Sequence, residues 1–457
     1  MNSRLHSIPA AALRWTALPA ALLWLTACAP KLDHYAQLNQ YLARQDYETA
    51  LSLLADAKEN YTERNAALYY MEEGLLAHYA GHYQESIQSL LKAEAMLDEL
   101  YTHSVSNETA AFLINDNTLP YRGEDFEDAM IHLFLAISYI CAGLKDDALV
   151  EARQVDIQLD LINSRYETNE RNVYNEDGFI RFLMGVLYET DGEINDAFIS
   201  YRKAEEIYRN DYRPNYGLGP TDYLIASLMS SADALGFDTE LNHYRQIYPD
   251  VAYPLPEQKR RMAEIFVVHY NGLAPEKTED SWVVPMPDGY IAKIPFPRFT
   301  DRSYTIKGGT VRLKNRTTGD TYRFATERME AIGAIAKTNL DNRLVRIKAK
   351  AVARATTKYL ATKAAAKSAE ERSGGLAGML VQVAGNVAAF ATENADVRQW
   401  RLLPDEIRVG TTLVPPGEYE GAIDFVGANG AAIATRPMGL FTVAEGTKTF
   451  FIQRTVQ

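Results

Sequence analysis

Few residues in this sequence have the types and spacing that enzymatic chemistry requires. Ser89-Leu90-Leu91-Lys92 matches the SxxK pattern of penicillin-binding enzymes, but neither an SDN nor a KTG follows it. His78 and His82 lie four residues apart, yet Gly81 between them predicts a turn, so the imidazoles need not share a helix face. The motifs of metalloproteases, serine hydrolases, nucleotide-binding loops and paired-cysteine zinc sites are absent from the sequence. We therefore predict a non-enzymatic protein with no catalytic residues, no metal ligands and no cofactor.

Cys28 is the residue to which the sequence assigns a definite reaction. Arg4 and Arg14 precede an uncharged run over residues 17–27, which is typical of an export signal. The closing residues, Leu25-Thr26-Ala27-Cys28, resemble the lipobox of bacterial lipoproteins. That resemblance implies cleavage before Cys28 and attachment of acyl chains to its sulfur and its freed amine. The alternatives are an ordinary signal peptide with a chance cysteine, or an uncleaved membrane helix, which would need about 20 apolar residues.

The predicted lipid anchor determines where the protein acts. Two or more acyl chains hold a protein stably to a bilayer, whereas one does not. By resemblance to the sorting rule of Gram-negative lipoproteins, Ala29 after the cysteine implies the outer membrane. We therefore expect a signal peptide over residues 1–27 and a mature chain attached through Cys28 to the outer membrane, facing the periplasm.

The composition is that of a folded, acidic protein. The chain has 457 residues, 47% of them apolar and 23% charged, which is enough for two or three hydrophobic cores. The net charge of −13 becomes −15 when Arg4 and Arg14 are removed, so nucleic acid is a poor candidate for a partner. Cys28 and Cys141 are the two cysteines, and acylation of Cys28 leaves Cys141 without a disulfide partner.

Residues 28–248 are predicted to form helical repeats. Each of three candidate turn glycines is preceded seven residues earlier and followed five residues later by a small residue. The triplets are Gly74, Gly81 and Ser86; Ala136, Gly143 and Ala148; and Gly185, Gly192 and Ala197. Antiparallel helices approach closely only where side chains are small, and the pattern resembles the tetratricopeptide repeat, with a weaker copy from Gln45 to Ala57. A generic α-helical bundle is the alternative.

The first helix of each repeat would line a concave groove. Carrying the usual groove positions onto this sequence gives twelve residues, of which His78 and Glu189 are polar and the others apolar. The candidate groove consists of eight of the apolar ones: Met71, Leu75, Met130, Leu133, Ile137, Phe179, Phe182 and Val186. We call these eight residues the repeat groove. Exposed apolar patches of this size are uncommon on soluble monomers. We therefore expect the groove to be filled by the protein's own structure, with an apolar partner segment as the alternative occupant.

A change of hydrophobic period from 3.6 to 2 marks a second domain. Three prolines, Pro249, Pro254 and Pro256, predict a linker over residues 249–260. Short apolar strands then alternate with Gly and Pro turns in residues 261–326 and 398–457. We predict a discontinuous β-sandwich domain with a helical insertion over residues 327–397. The fold class is thus multidomain α + β, with a helical solenoid followed by a sandwich.

The insertion contains a basic amphipathic helix. Its cationic residues recur every three or four positions and form a candidate basic stripe: Arg343, Arg346, Lys350, Arg354 and Lys358. Such a stripe can lie on anionic lipid, remain a solvated face, or face the acidic repeat domain. We favour the last two over the lipid.

An uncharged segment rich in Gly and Ala follows, over residues 374–390. As a helix it would rise about 25 Å, at the short limit for crossing a bilayer, and Gln382 and Asn386 count against insertion. Gly374 and Gly378 have the spacing for close helix contact. We predict a buried hairpin partner for the basic helix.

Two segments, Asp288 to Arg298 and Trp400 to Pro404, resemble a group of Gram-negative envelope lipoproteins that join repeat helices to a β-domain. The resemblance implies a location and an architecture but no reaction. Our first hypothesis is a membrane-anchored scaffold that binds another envelope protein. The alternative is a protein or enzyme acting on cell-wall sugars or lipids. Its site would lie between the β-domain and the insertion, near the aromatic and basic residues Trp282, Tyr290, Arg298 and Trp400.

Overall fold

The computed structural model describes residues 34–102, 116–164 and 173–457. The first half consists of helices joined in pairs by short turns. The pairs are α1 (Tyr35–Arg44) with α2 (Tyr47–Asp56), α3 (Ala66–Ala80) with α4 (Tyr83–Thr102), α5 (Asp125–Cys141) with α6 (Lys145–Ser164), and α7 (Gly178–Thr190) with α8 (Ile194–Ile207). A π-helical turn (Tyr208–Tyr212) and α9 (Arg213–Tyr216) lead to α10 (Asp222–Leu235) and α11 (Asp238–Ile247). This half is a tetratricopeptide-like solenoid.

The turns between paired helices form where the small-residue pattern places them. Gly81, Gly143 and Gly192 have φ angles of 82°, 78° and 78°, which glycine adopts readily. A Cβ atom on Gly185 would lie 2.4 Å from Cε1 of Tyr201 in the facing helix, so only glycine fits there. The three helix pairs that turn at these glycines are therefore confirmed, and Gly185 shows why a small residue is needed in the α7–α8 pair.

The fifth pair, α10 with α11, is not predicted by the pattern. Its turn residue Gly236 has a φ of 66°, like the other turn glycines. However, Met229 and Leu241 stand at the flanking positions that are small in the other pairs. Helices α10 and α11 therefore pack without the close contact that requires small residues, so the small-residue pattern does not mark this pair.

The second half forms a β-sandwich. Its strands are β1 (Ala263–Asn271), β2 (Glu276–Pro285), β3 (Ile291–Thr300), β4 (Gly308–Asn315), β5 (Thr321–Ala325), β6 (Glu327–Glu330), β7 (Glu406–Val414), β8 (Gly417–Val426), β9 (Ala432–Val443) and β10 (Lys448–Thr455). One sheet has the order β10-β1-β7-β6 and the other has the order β5-β4-β8-β9, while β2 and β3 form a separate hairpin. Strand β10 pairs with β1 in parallel, and the other paired strands are antiparallel.

Strand β1 is buried on both faces and connects the two halves of the molecule. Ile265 and Val267 point into the sandwich core together with Val311 and Ile423. The alternate residue Phe266, like Val268 and Tyr270, instead belongs to the core of the helical repeats. Since successive side chains of a strand point to opposite faces, one sheet serves as the inner wall of the sandwich and as the surface on which the repeats pack.

The helical insertion is a long hairpin of α13 (Ile332–Ser373) and α14 (Gly375–Thr392). The predicted insertion over residues 327–397 is too wide, because β6 at its start pairs with β7 and belongs to the sheet. The linker over residues 249–260 is also not wholly irregular, because Pro256 begins the short helix α12 (Pro256–Arg261). Proline suits the first turn of a helix, where its missing N–H has no partner to lose.

Helix α14 packs against α13, as predicted, but the prediction that it is buried is wrong. A Cβ atom on Gly378 would lie 2.9 Å from Cβ of Glu370, so the two helices touch through the expected small residue. Only 6% of α14 is buried, and in the described part of the chain it is the one helix long and apolar enough to cross a membrane. Contact through one narrow face leaves the rest of the helix uncovered.

Candidate functional site

The repeat groove is closed. All eight of its residues are at most 1% exposed, and they belong to the same hydrophobic core as Phe266, Tyr270 and Trp400 of the β-domain. The expectation that the protein's own structure fills the groove agrees with this burial. Within the residues that the structure describes, these eight positions therefore leave no free groove for a partner peptide.

His78 joins the repeats to strand β1. Its Nδ1 lies 2.8 Å from Oγ of Ser138, and its Nε2 lies 2.8 Å from the hydroxyl of Tyr270. Burial lowers the pKa of His78 to about 3, so the imidazole is neutral. His82 is elsewhere, with its Nε2 3.0 Å from Oε1 of Glu48, so the two histidines do not form a metal pair.

The segment that follows the insertion enters the groove at Trp400. The indole ring of Trp400 is fully buried, and its centroid is 5.8 Å from that of Phe134 on α5. On the neighbouring helix α3, the hydroxyl of Tyr79 donates to the carbonyl of Leu402 at 3.4 Å. The repeats therefore hold an internal segment of their own chain, residues 400–403.

Two buried glutamates hold the backbone of this segment. Glu127 Oε1 accepts from the Trp400 amide at 2.7 Å, and Glu72 accepts from the amides of Arg401 and Leu402 at 2.9 and 3.3 Å. Burial raises the pKa of each glutamate to about 7, even though these hydrogen bonds favour the carboxylate. Hydrogen-bonded backbone donors are what allow carboxyl groups to be buried here.

A buried network of ion pairs forms a second contact between the repeats and the β-domain. Lys259 Nζ lies 2.6 Å from Oε1 of Glu189, and Lys448 Nζ lies 2.9 Å from Oε2 of the same residue. Lys448 also pairs with Glu264 on β1. Burial alone would raise the pKa of Glu189, but the two lysines lower it to about 2. This carboxylate is thus a fixed charge that joins α7 to α12 through Lys259 and to β10 through Lys448.

A carboxyl pair lies where the π-helical turn meets the sheet. Glu330 of β6 accepts from the hydroxyl of Tyr212 at 3.1 Å, and Asp177 accepts from the hydroxyl of Tyr174 at 2.7 Å. Burial, followed by the charge of Asp177, raises the pKa of Glu330 well above its usual value. Both carboxyl groups are fully buried and hold structure together rather than facing a ligand.

The candidate basic stripe faces acidic partners. Arg343 pairs with Glu124 and also lies 3.6 Å from Asp125 at the start of α5. Arg354 and Lys358 pair with Glu393 at 3.0 and 2.7 Å. Arg346 and Lys350 line a cavity of about 280 Å³ beside β3. The stripe thus contacts the acidic repeat domain and the base of α14 rather than forming an open lipid-facing surface.

The residues proposed for a glycan or lipid site do not converge. Trp400 is in the repeat groove, whereas Trp282 is 48% exposed on β2, with its ring 5.2 Å from that of Phe296. Tyr290 packs edge-on against Tyr359 of α13, at 5.0 Å between ring centroids. Arg298 on β3 is paired in register with Thr278 of β2. No shared binding surface joins these four residues.

The remaining chemical candidates have structural roles. Ser89 Oγ donates to Oε2 of Glu73 at 2.7 Å, while Lys92 Nζ lies 4.2 Å from the ring centroid of Tyr70, so the SxxK pair is not assembled. Burial raises the pKa of Cys141 to about 12, which keeps it a thiol at neutral pH. Within the described ranges, no group of three His, Cys, Asp or Glu side chains is arranged to hold a metal ion. Cys28 lies outside the described residues.

Sequence reasoning missed the two glutamates that hold the internal segment. The sequence signal is weak, because Glu72 stands next to a second glutamate, Glu73, in the mostly apolar helix α3. Glu127 opens α5 in a capping box with Glu124, which explains its local role but not its contact with Trp400. Residues 400–403 are more than 270 positions away in sequence, so only the tertiary structure reveals the pairing.

No family model matches this chain, and no curated protein matches it. Among solved structures, BtubC (BKLC) from P. vanneervenii is similar at 14% identity, over 47% of this chain and 76% of that one, with a TM-score of 0.34. The putative kinesin light chain with TPR-like repeats from Podosopora anserina is similar at 15% identity, over 48% of this chain and 93% of that one, with a TM-score of 0.32. MamA AMB-1 is similar at 15% identity, over 49% and 100%, with a TM-score of 0.28.

Proposed function

We propose that this protein is a non-enzymatic scaffold of the bacterial envelope, attached to the outer membrane through an acylated Cys28 and facing the periplasm. The lipobox-like sequence ending at Cys28 supports the anchor, and Ala29 supports the outer membrane. The group of envelope lipoproteins resembled at Asp288 to Arg298 and Trp400 to Pro404 supports the same location. The partner in this proposal is another envelope protein.

The observation that carries the scaffold proposal is the closed repeat groove. Glu72 and Glu127 hold the backbone of residues 400–402, and Trp400 fills the space beside Phe134. The repeats are therefore used to fix the β-domain and the base of the helical hairpin in one rigid orientation. A partner would bind the outer surfaces that this orientation presents.

Crosslinking mass spectrometry on native membranes tests the scaffold, with wild type compared with Cys28→Ala. We expect a defined envelope protein to crosslink to outer surfaces in wild type and to be lost when the anchor is removed. The mass of the N-terminal peptide reports acylation independently. Recovery of this protein alone, or partner crosslinks to side chains of the repeat groove, would contradict the proposal.

A second candidate function, binding of an anionic glycan or lipid group, has one favourable observation. The 280 Å³ cavity lies between β3, α13 and the start of α5, where the β-domain meets the insertion. Five cationic residues line it, against two acidic ones: Lys277, Arg343, Arg346, Lys350 and Arg354, with Glu124 and Asp396. The lining therefore has a formal charge of +3, although its cations also contact neighbouring side chains.

Calorimetric titration with muropeptides and with lipopolysaccharide fragments tests this cavity. We expect Arg346→Ala and Lys350→Ala to weaken binding of an anionic ligand at least tenfold. Lys314→Ala, an exposed lysine on β4, is the matched control. If the wild-type protein binds neither muropeptides nor lipopolysaccharide fragments, this second candidate function is wrong.

A further inference from the structure

The outward face of α14 is wholly apolar. Its large exposed side chains are between 41% and 74% accessible: Leu376, Met379, Leu380, Val383, Val387 and Phe390. At 3.6 residues per turn these positions, with the exposed Ala384 and Ala391, cover an arc of roughly 140°. An apolar arc wider than about 100° is what a helix normally turns toward a core. In the described structure nothing covers it.

The polar side chains of α14 point away from this face. Asn386 donates to the carbonyl of Ile291 at 2.8 Å and accepts from its amide at 3.2 Å. Gln382 donates to the carbonyl of Asp288 at 3.0 Å. Both amides are therefore bonded to the β2–β3 hairpin, and they add no polarity to the exposed arc. The two residues that count against membrane contact in the sequence are satisfied within the protein.

The tip of the β2–β3 hairpin extends the apolar surface. Trp282, Val283, Val284 and Ile291 are between 38% and 56% exposed. Ile291 is the residue whose backbone Asn386 binds, so the hairpin tip and α14 adjoin. Trp282 and Val284 point to the face of the hairpin opposite to Val283 and Ile291, and Lys348 Nζ of α13 lies 4.8 Å from the centroid of the Trp282 ring. We call the six exposed apolar side chains of α14 together with Ile291 the apolar platform. Patches of this kind on soluble proteins mark sites of protein or membrane contact.

We propose that the apolar platform rests in the interface of the lipid bilayer to which the protein is anchored. The tether argument depends on the proposed acylation of Cys28. His34, the first described residue, is six positions after Cys28, and six residues span at most about 20 Å. Arg401 connects α1 to the start of β2, with its guanidinium 4.6 Å from the Tyr35 ring and paired with Glu276. The body is thus held close to the membrane, with its anchored end beside the base of the hairpin whose tip adjoins α14.

The shape and chemistry of the platform favour a bilayer over a partner helix. A coiled-coil seam is narrower than this arc, whereas an interfacial helix buries one broad apolar face. Helix α14 has 18 residues and would rise about 27 Å, which is at the short limit for crossing the hydrocarbon. Its amides are bonded to the hairpin, so the platform lies on the membrane and does not cross it.

Vesicle flotation of residues 29–457 tests the proposal without the lipid anchor, so its outcome is independent of acylation at Cys28. The probe is vesicles of phosphatidylethanolamine and phosphatidylglycerol. We expect wild type to float and Leu380→Glu/Val383→Glu/Val387→Glu to reduce the bound fraction at least tenfold. The matched control, Ile157→Glu/Ile247→Glu/Leu440→Glu, changes three other exposed apolar residues and should bind as wild type does.

Tryptophan fluorescence provides a second measurement on the same chain. After residue 28 the tryptophans are Trp282, which is 48% exposed on the hairpin that adjoins the platform, and Trp400, which is fully buried. Brominated lipids should quench part of the emission, and Trp282→Phe should abolish that quenching. Absence of flotation by wild type overturns the proposal. A dimer that forms without vesicles and is lost in the platform variant would also overturn it, since it would assign the surface to a second copy.

Discussion

At the residue scale, Glu72 and Glu127 determine how the repeats hold the β-domain. Each carboxyl group is fully buried, and each pKa is raised to about 7. A pKa that is higher in the folded state than in the unfolded chain stabilises the fold most below the unfolded value, near 4.5. That contribution falls as the pH rises toward 7. Through these two glutamates, the contact between the repeats and residues 400–402 is therefore less stable at pH 8 than at pH 5.

We predict that Glu72→Gln and Glu127→Gln each remove part of this pH dependence. Between pH 5 and pH 8, wild type should lose on the order of 3 kcal/mol of unfolding free energy relative to each variant. Urea unfolding at the two pH values measures the difference. The comparison with a variant is needed because the pKa of His78 is lowered to about 3. That histidine makes the fold more stable as the pH rises, which opposes the effect of the two glutamates. Parallel wild-type and variant profiles would show that the carboxyls titrate normally.

Gly185 illustrates how a single small residue fixes a helix pair. We predict that Gly185→Ala lowers the free energy of unfolding by about 2 kcal/mol, because its Cβ would overlap the ring of Tyr201. Gly219→Ala is the control, since a Cβ there meets nothing within 4 Å. Thermal unfolding monitored by circular dichroism compares the two. Equal effects would show that the α7–α8 contact is looser than described.

At the element scale, a buried ion pair fixes the base of the α13–α14 hairpin. Arg354 and Glu393 are each 2% exposed, and Arg354 Nε lies 3.0 Å from Glu393 Oε2. We predict that Arg354→Met destabilises this base by about 3 kcal/mol, because it weakens the compensation of a buried carboxylate. Hydrogen exchange should show faster exchange in α14 while the solenoid amides stay protected. Arg372→Met, near the tip, is the control, and an unchanged α14 would contradict the role of the pair.

Elements stabilised by local contacts were predictable, and those built from distant segments were not. The turns at Gly81, Gly143 and Gly192 and the β4–β5 hairpin follow from neighbouring residues. The parallel pairing of β1 with β10 joins residues 184 positions apart, such as Glu264 and Lys448, and no local pattern encodes it. The exposure of α14 was also missed, because composition shows an apolar helix but not what covers it.

At the scale of the whole molecule, the solenoid and the sandwich form one folding unit. Phe266, Tyr270 and Trp400 of the second half lie in the core of the first. The sequence predicted the order of the domains and an occupied groove. It did not predict that residues 400–403 occupy the groove, because their partners Glu72 and Phe134 lie in repeats far along the chain.

The most direct test of this account follows Trp400 during unfolding. In residues 29–457 carrying Trp282→Phe, Trp400 is the sole tryptophan and reports whether the β-domain is seated in the repeats. Its fluorescence and the far-ultraviolet circular dichroism of the helices are measured together against urea. We predict coincident transitions, because removing Trp400 from the groove exposes the core of the solenoid. A loss of Trp400 burial well before the helices unfold would contradict it, since the groove would then be only loosely occupied.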